Sequence, residues 1–236
     1  AAAYTNVGGA EVEQKQAFLI NSTGPHLLAK ACARLSKPLI HLSTDYVFDG
    51  CQEELYRETD PVNPLNIYGQ SKEAGERAVR ETLDKHIILR TSWVFSANGE
   101  NFVKTILRLA GEREQIEVID DQFGGPTSAS SLSRALLAIV DTHQLKWGTY
   151  HFSQEPFVNW YEFANSIIQE ASLLKKSYAR VKVLPISSGN YFASVKRPRN
   201  SCLDSSKLNA LKLMFDEKSW HIELKEVIKK LLLNQH

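Results

Sequence analysis

Apolar residues recur at helical spacing from Glu11 to about Leu35, where Phe18, Leu19, Leu27, Leu28, Ala31 and Leu35 share one face. Gly24-Pro25 inside this stretch predicts a kink or a restart, because proline lacks an N–H and crowds the preceding turn. The run PLIHLST (Pro38–Thr44) is short, apolar and bounded by proline and polar residues, which predicts a buried strand. Gly50 to Pro64 reads as loop, and Ser71 to Leu83 as a helix rich in good formers such as Lys72, Glu73, Ala74, Glu76, Arg77 and Ala78. The pattern then predicts a strand over His86–Phe95, a helix over Asn101–Ala110 and a strand over Ile116–Asp120. A turn at Gly124–Ser128 leads into a helix over Leu132–Val140, of which Ala135–Val140 reads as buried. Gly148–Ser153 is a further strand, and Asn159 with Glu162 has the spacing of a capping box that opens a helix to Ala171. Val181–Ser187 and Ile222–Leu233 complete the pattern as a strand and an amphipathic helix.

Strands alternating with helices predict an α/β protein with a parallel, helix-covered sheet, and such sheets bind ligands at the carboxyl ends of their strands. Thr44 and Thr91–Trp93 fall at such ends. The 236 residues suffice for one sizeable domain or a domain with a small lobe. Apolar content of 43% and a net charge of +1 are ordinary for a globular protein and argue against attraction to nucleic acid or anionic membrane. No apolar run approaches the roughly 20 residues that span a bilayer, and AAAYTNVGG is not a secretory signal. Cys32, Cys51 and Cys202 are far apart, which disfavours a disulfide framework or zinc site and points to a reducing cytoplasm. The seven histidines form no metal-binding pattern, so no metal is expected.

The chemistry concentrates in HLSTDYVFDG (His41–Gly50) and IYGQSK (Ile67–Lys72). Tyr68 and Lys72 are one helical turn apart and so share a face. In isolation the pair reads rather as a turn aromatic and a solvated helix charge. Beside a strand ending in Ser43-Thr44-Asp45 they suggest a catalytic pair. An ammonium near a phenol lowers its pKa from about 10, so that the phenol can protonate a carbonyl oxygen while hydride reaches the carbon. Thr44 is placed to hold and polarise the same oxygen. Asp120-Asp121 reads as a strand-end loop pair and is assigned no chemistry.

The segments AAAYTNV, LIHLSTDYVFDG, YRETDPVNPLNIYGQSKEAGE, ILRTSWVF, NFVKTILRLA, VIDDQFGGPTSA, GTYHFS and RPRNSCLD together resemble the extended short-chain dehydrogenase/reductase family, from Ala1 to about Leu208. The resemblance implies a Rossmann-like doubly wound parallel sheet, truncated at its N-terminus, over residues 1–120, and a smaller α/β substrate lobe over 121–236 with segments returning to the main domain. It implies reduction of the C4 keto group of a nucleotide-diphosphate sugar by NADPH or NADH. Tyr68 would be the acid, Lys72 would tune it and bind the nicotinamide ribose, and Thr44 would hold the carbonyl. Ala2, Ala3, Tyr4 and Ser43 would lie along the cofactor; Val7, Tyr46 and Trp93 would line the sugar pocket. Tyr46 and Trp93 are equally readable as core. Asn101 and Arg197 would face the nucleotide diphosphate, Arg197 and Arg199 otherwise forming a solvated basic loop. Asn21 matches an asparagine that interrupts a helix and supports a proton relay, or else a polar cap at the Gly24-Pro25 break.

The sequence departs from that family at its start. It has no initiator Met and no Gly-x-x-Gly-x-x-Gly turn to cradle a pyrophosphate; VGGAE and FGGPT are not that motif. Gly8-Gly9 replaces a more charged pair. The comparison implies that several tens of residues with four strands belong upstream. The chain alone is then expected to bind cofactor poorly, to turn over little substrate, and to associate through an exposed sheet edge or as a homodimer. Two other readings stand beside the reductase: a reductase of another nucleotide sugar, and a non-catalytic regulatory subunit like the β subunit of methionine adenosyltransferase, which shares a similar Tyr-x-x-x-Lys and Arg-Pro-Arg-Asn.

Overall fold

The computed structural model describes residues 2–142, 146–190, 195–213 and 218–233. In chain order the elements are α1 (Val7–Val12), α2 (Gln14–Phe18), a π-helical segment (Leu19–Thr23), α3 (Gly24–Arg34), β1 (Leu39–Thr44), α4 (Ile67–Thr82), β2 (His86–Thr91), β3 (Val94–Phe95), α5 (Phe102–Glu112), β4 (Gln115–Ile119), β5 (Phe123–Gly124), β6 (Thr127–Ser128), α6 (Ala129–Asp141), β7 (Gly148–His151), β8 (Val158–Asn159), α7 (Trp160–Leu174), β9 (Lys182–Ile186), α8 (Ser206–Asn209) and α9 (Trp220–Leu233). They divide between two compact units. One is formed by Ala1–Ser92, Thr142–Phe152 and Ala193–Leu213, the other by Trp93–Asp141, Ser153–Phe192 and Met214–His236.

In the first unit β1, β2 and β7 form a parallel sheet with β2 at its centre. Every residue of β2 is buried, its polar His86, Arg90 and Thr91 along with Ile87–Leu89, as befits a strand with neighbours on both sides. The register sets Ser43 beside Arg90 and Thr44 beside Thr91, so both strands end together. α3 and α4 pack on each other and on β1, closing a core of Ala29, Val79, Leu83 and Ile88. A second cluster joins Val47, Phe48, Tyr56 and Leu203. Among the described residues β1 pairs with β2 alone, and Leu39–Leu42 remain half-exposed. The expected buried strand is therefore buried only at Ser43 and Thr44.

The long helix expected from Glu11 to Leu35 is interrupted twice. Glu13 leaves helical geometry, and Leu19–Thr23 widens into a π-turn. The restart expected at Gly24-Pro25 is where α3 begins, directly after the π-turn, with Pro25 in its first turn, where a missing N–H costs nothing. The strand expected over His86–Phe95 also divides, because Trp93 has a φ of 47°. A bulky residue in this left-handed region ends the extended run and starts the second unit.

The second unit contains the parallel pairs β3–β6 and β4–β9 and the antiparallel pair β5–β8. α5, α7 and α9 enclose a core built on Phe95, Phe163, Ile167, Leu224 and Trp220. Trp220 is fully buried and satisfies its indole by donating Nε1–H to the Pro156 carbonyl at 2.8 Å. The capping box at the start of α7 forms as its spacing predicts, Asn159 and Glu162 each accepting the other's backbone N–H. α6 is not buried throughout: Ala135 and Ile139 face inward while Leu137 and Val140 are exposed, the one-sided burial that helical periodicity produces.

Candidate active site

The site begins at the N-terminus of α4, which starts earlier than Ser71. Asn66 caps it, accepting the Gly69 N–H at 2.8 Å, and Glu11 of α1 accepts the Ile67 N–H at 2.9 Å. This first turn is pressed against the bend that follows β1. A Cβ on Gly69 would lie 2.2 Å from the Tyr46 carbonyl oxygen, so the close approach requires glycine. Tyr68 thereby reaches the strand end, close enough to Thr44 for that hydroxyl to act on its phenol. Its ring meets that of Tyr46 edge-on, with centroids 5.8 Å apart. Thr44 Oγ1 donates to Asp45 Oδ1 at 3.0 Å and accepts the Tyr46 N–H at 3.2 Å. Lys72, one turn along α4, is buried and donates Nζ–H to the Leu42 carbonyl at 2.7 Å.

The electrostatics differ from the sequence expectation at one point. Burial pushes the Tyr68 phenol up to about 12; the neighbouring Thr44 hydroxyl pulls it down and the Asp45 charge pushes it further up. The phenol is raised rather than lowered because burial outweighs the other influences, and the Lys72 ammonium, which donates to the Leu42 carbonyl, is not among them. Burial likewise lowers Lys72 to about 8, with the Glu76 carboxylate opposing. Asp45, also buried, is raised to about 6 against its hydrogen bonds. A phenol held near 12 is fully protonated at neutral pH, the state a proton donor needs, and an alkoxide is a stronger base still.

Asn21 occupies the π-turn and is 1% exposed. Its side chain accepts the Tyr4 N–H at 2.8 Å and donates to the Tyr4 carbonyl at 3.0 Å and to Ser71 Oγ at 3.0 Å. Ser71 Oγ in turn donates to the Tyr68 carbonyl at 2.8 Å. Asn21 is therefore a clamp between the Ala2-Ala3-Tyr4 segment and the Tyr68 turn, neither solvent-facing nor a cap for Gly24-Pro25. Ala2 and Ala3 are exposed, and Val7 begins α1 half-buried. Ser43 is buried at the end of β1. Arg197 is exposed but near enough for its charge to oppose the burial that raises the Tyr46 phenol. Its loop is tied to α4 by Asn66 Nδ2 donating to the Lys196 carbonyl at 2.9 Å.

Two groups beside this site carry no signal in the motifs. Asp45 was legible only as part of a strand end, and Glu76 only as a helix former. Glu76 is fully buried, and Arg90 grips it with Nε and Nη2 at 2.9 and 2.8 Å. The useful signal was spacing, since Glu76 repeats the Tyr68–Lys72 interval.

Trp93 and Asn101 belong to the second unit. Asn101 caps α5, accepting the Lys104 N–H at 3.3 Å and donating to the Ser96 carbonyl at 2.8 Å. Trp93 stacks on Trp160, centroids 3.4 Å apart and planes within 8°. Its indole also abuts Gly124, where a Cβ would lie 2.5 Å from Cε2. Gly124→Ala is expected to cost about 1–3 kcal/mol and to weaken the near-UV circular dichroism of the stacked pair. An unchanged spectrum and denaturation midpoint would count against this packing. Among the described residues no group of three His, Cys, Asp or Glu is placed to hold a metal ion, and no helix is long and apolar enough to cross a membrane.

Comparison with known proteins gives a consistent set of relatives. The family model described as RmlD substrate binding domain matches residues 1–233. The dTDP-4-dehydrorhamnose reductase of Aggregatibacter actinomycetemcomitans is 45% identical over 212 residues, spanning 88% of this chain and 72% of that one. Its counterpart in Escherichia coli K12 is 41% identical over 215 residues, covering 88% and 70%. The crystal structure of the Bacillus anthracis dTDP-4-dehydrorhamnose reductase in complex with NADP superposes with a TM-score of 0.86 at 39% identity, over 98% of this chain and 79% of that one.

Proposed function

The chain belongs to the RmlD substrate binding domain family, and from that premise we infer that it is an NAD(P)H-dependent oxidoreductase reducing the C4 keto group of dTDP-4-dehydro-L-rhamnose to dTDP-L-rhamnose. The observation that supports the catalytic assignment is the convergence of Thr44, at the end of β1, with Tyr68, in the first turn of α4, and with Lys72 one turn further along.

The residues present suit the nicotinamide-ribose half of the cofactor. Lys72 spends one of its three N–H donors on Leu42, and the others are available to ribose hydroxyls. Ala2 and Ala3 present small exposed side chains beside the Tyr4 clamp, and Ser43 adds a hydroxyl at the strand end. When bound, NADPH or NADH supplies the hydride. Thr44 holds the substrate carbonyl oxygen, and Tyr68 gives its proton to the same oxygen as negative charge develops there. The Lys72 ammonium stabilises the phenolate left behind and orients the ribose. Val7 and Tyr46 offer apolar contact to the deoxysugar, and Arg197 offers a guanidinium to the diphosphate.

The test is oxidation of reduced nicotinamide by the full-length protein with dTDP-4-dehydro-L-rhamnose, with the sugar product identified by mass and NMR. Stoichiometric formation of dTDP-L-rhamnose is expected. Cofactor and sugar that bind without turnover would overturn the assignment.

A further inference from the structure

Tyr68, Lys72 and Glu76 follow one another at single-turn intervals along α4. Glu76 has no exposed surface and receives Arg90 from the central strand β2 through two bonds, with a third from Arg80 Nη1 at 2.9 Å. Arg90 is itself 3% exposed and lies over the Phe48 ring at 5.1 Å. Stability alone does not account for so many buried charges, because apolar replacements of such groups are often neutral or better. The groups facing Lys72 explain the arrangement. His41 approaches from β1, with Nε2 lacking a hydrogen-bond partner among the described residues, and is held neutral near 4 by burial and by Lys72. Arg80 shares α4, and Arg90 comes from β2 with His151 of β7 behind it, neutral near 3. Asp45 and Tyr68 lie at the strand end. On the inner side the negative charge comes from Glu76, set among Lys72, Arg80 and Arg90.

We propose that Glu76 is a positioning residue that acts through Lys72: one turn along the same face of α4, its buried carboxylate balances that ammonium and, through Arg90, pins α4 to β2 so that Lys72 stays seated against β1. The proposal rests on the reading of Tyr68 and Lys72 as the proton-delivering pair. Burial acts against the ammonium, and Glu76 opposes it. The working form of Lys72 is protonated, so turnover falls as pH rises through its folded pKa, and lowering that pKa brings the loss to lower pH.

The experiment measures two quantities in the full-length protein: the Lys72 amine titration, by NMR of carbon-labelled lysine assigned with Lys72→Arg, and the pH profile of kcat. Glu76→Gln is expected to lower the Lys72 midpoint by about 1–3 pH units and to move the alkaline limb of kcat down equally, about tenfold in rate per unit on that limb. Arg90→Gln, which keeps a donor to Glu76 and leaves Arg80 in place, is expected to raise the midpoint. Opposite signs in the two variants support the proposal; equal signs, or an unmoved midpoint, overturn it. If Glu76→Gln does not fold, the direction of the shift in Arg90→Gln decides. An amine midpoint that moves while the kcat profile stays still upholds the coupling and sinks the Tyr68–Lys72 reading.

Discussion

Tyr68→Phe is expected to lower kcat by about 10²–10⁴-fold, the span that a positioned general acid contributes, with little change in stability or cofactor affinity. The substitution removes a single oxygen. The ring keeps its edge-on contact with Tyr46, and the Asn66 and Glu11 caps that fix this turn do not involve the phenol. Thr44 retains its bonds to Asp45 and to the Tyr46 N–H, so its hydroxyl stays in place. The loss should fall on kcat and kcat/KM together, as it does when an interaction made only in the transition state is deleted. Because burial holds the phenol near 12, its own ionisation lies beyond the working range; the alkaline fall in wild-type turnover should track Lys72 near 8. Steady-state kinetics with dTDP-4-dehydro-L-rhamnose is the check. Turnover within a few-fold of wild type would remove Tyr68 from the mechanism.

Gly75→Ala is expected to destabilise the first unit by about 3 kcal/mol or more, against the ordinary trend. In an open helix the same change gains about 1 kcal/mol, since alanine is the better helix former. Here a Cβ would lie 2.0 Å from the Asn21 carbonyl oxygen, which is backbone and cannot swing aside. α4 must move off the π-turn, and the Asn21 bonds to Tyr4 and Ser71 go with it. The Tyr4 amide, protected by Asn21, should exchange faster with solvent, and turnover should fall because Ser71 supports the Tyr68 turn. Denaturant titration and hydrogen exchange together measure this. A variant as stable as wild type, with an unaltered Tyr4 amide, would mean that the contact is softer than its geometry implies.

The candidate residues were more legible in the chain than the geometry around them. Tyr68, Lys72 and Thr44 could be named because single-turn spacing and a strand end are local properties. The direction of the Lys72 ammonium was not local: the Leu42 carbonyl that receives it belongs to β1; nor was the burial that raises the phenol. The early start of α4 was hidden because Asn66 sits in a polar, proline-bearing stretch, where a cap and a loop residue look alike. The helix interruption at Asn21 was legible only through the family resemblance and not in the apolar pattern. Its apolar spacing is ordinary, and the widened turn answers to partners at Tyr4 and Ser71 that no helical window contains. At Trp93 a strand-like pattern concealed a left-handed residue, since hydrophobic pattern carries no information on the sign of φ. Glu76 illustrates the same limit: its face was readable, but the guanidinium that receives it came from the next strand.

The widened turn around Asn21 also constrains how this chain can diverge. An inserted helical residue and a bare α-carbon on the neighbouring helix are two halves of one fit, and neither is tolerated long without the other. A descendant that gains a side chain in place of Gly75 should already have straightened its Leu19–Thr23 turn, and one that keeps the turn should keep the glycine. The two positions are thus expected to be inherited as a pair, whichever sugar the descendant comes to use.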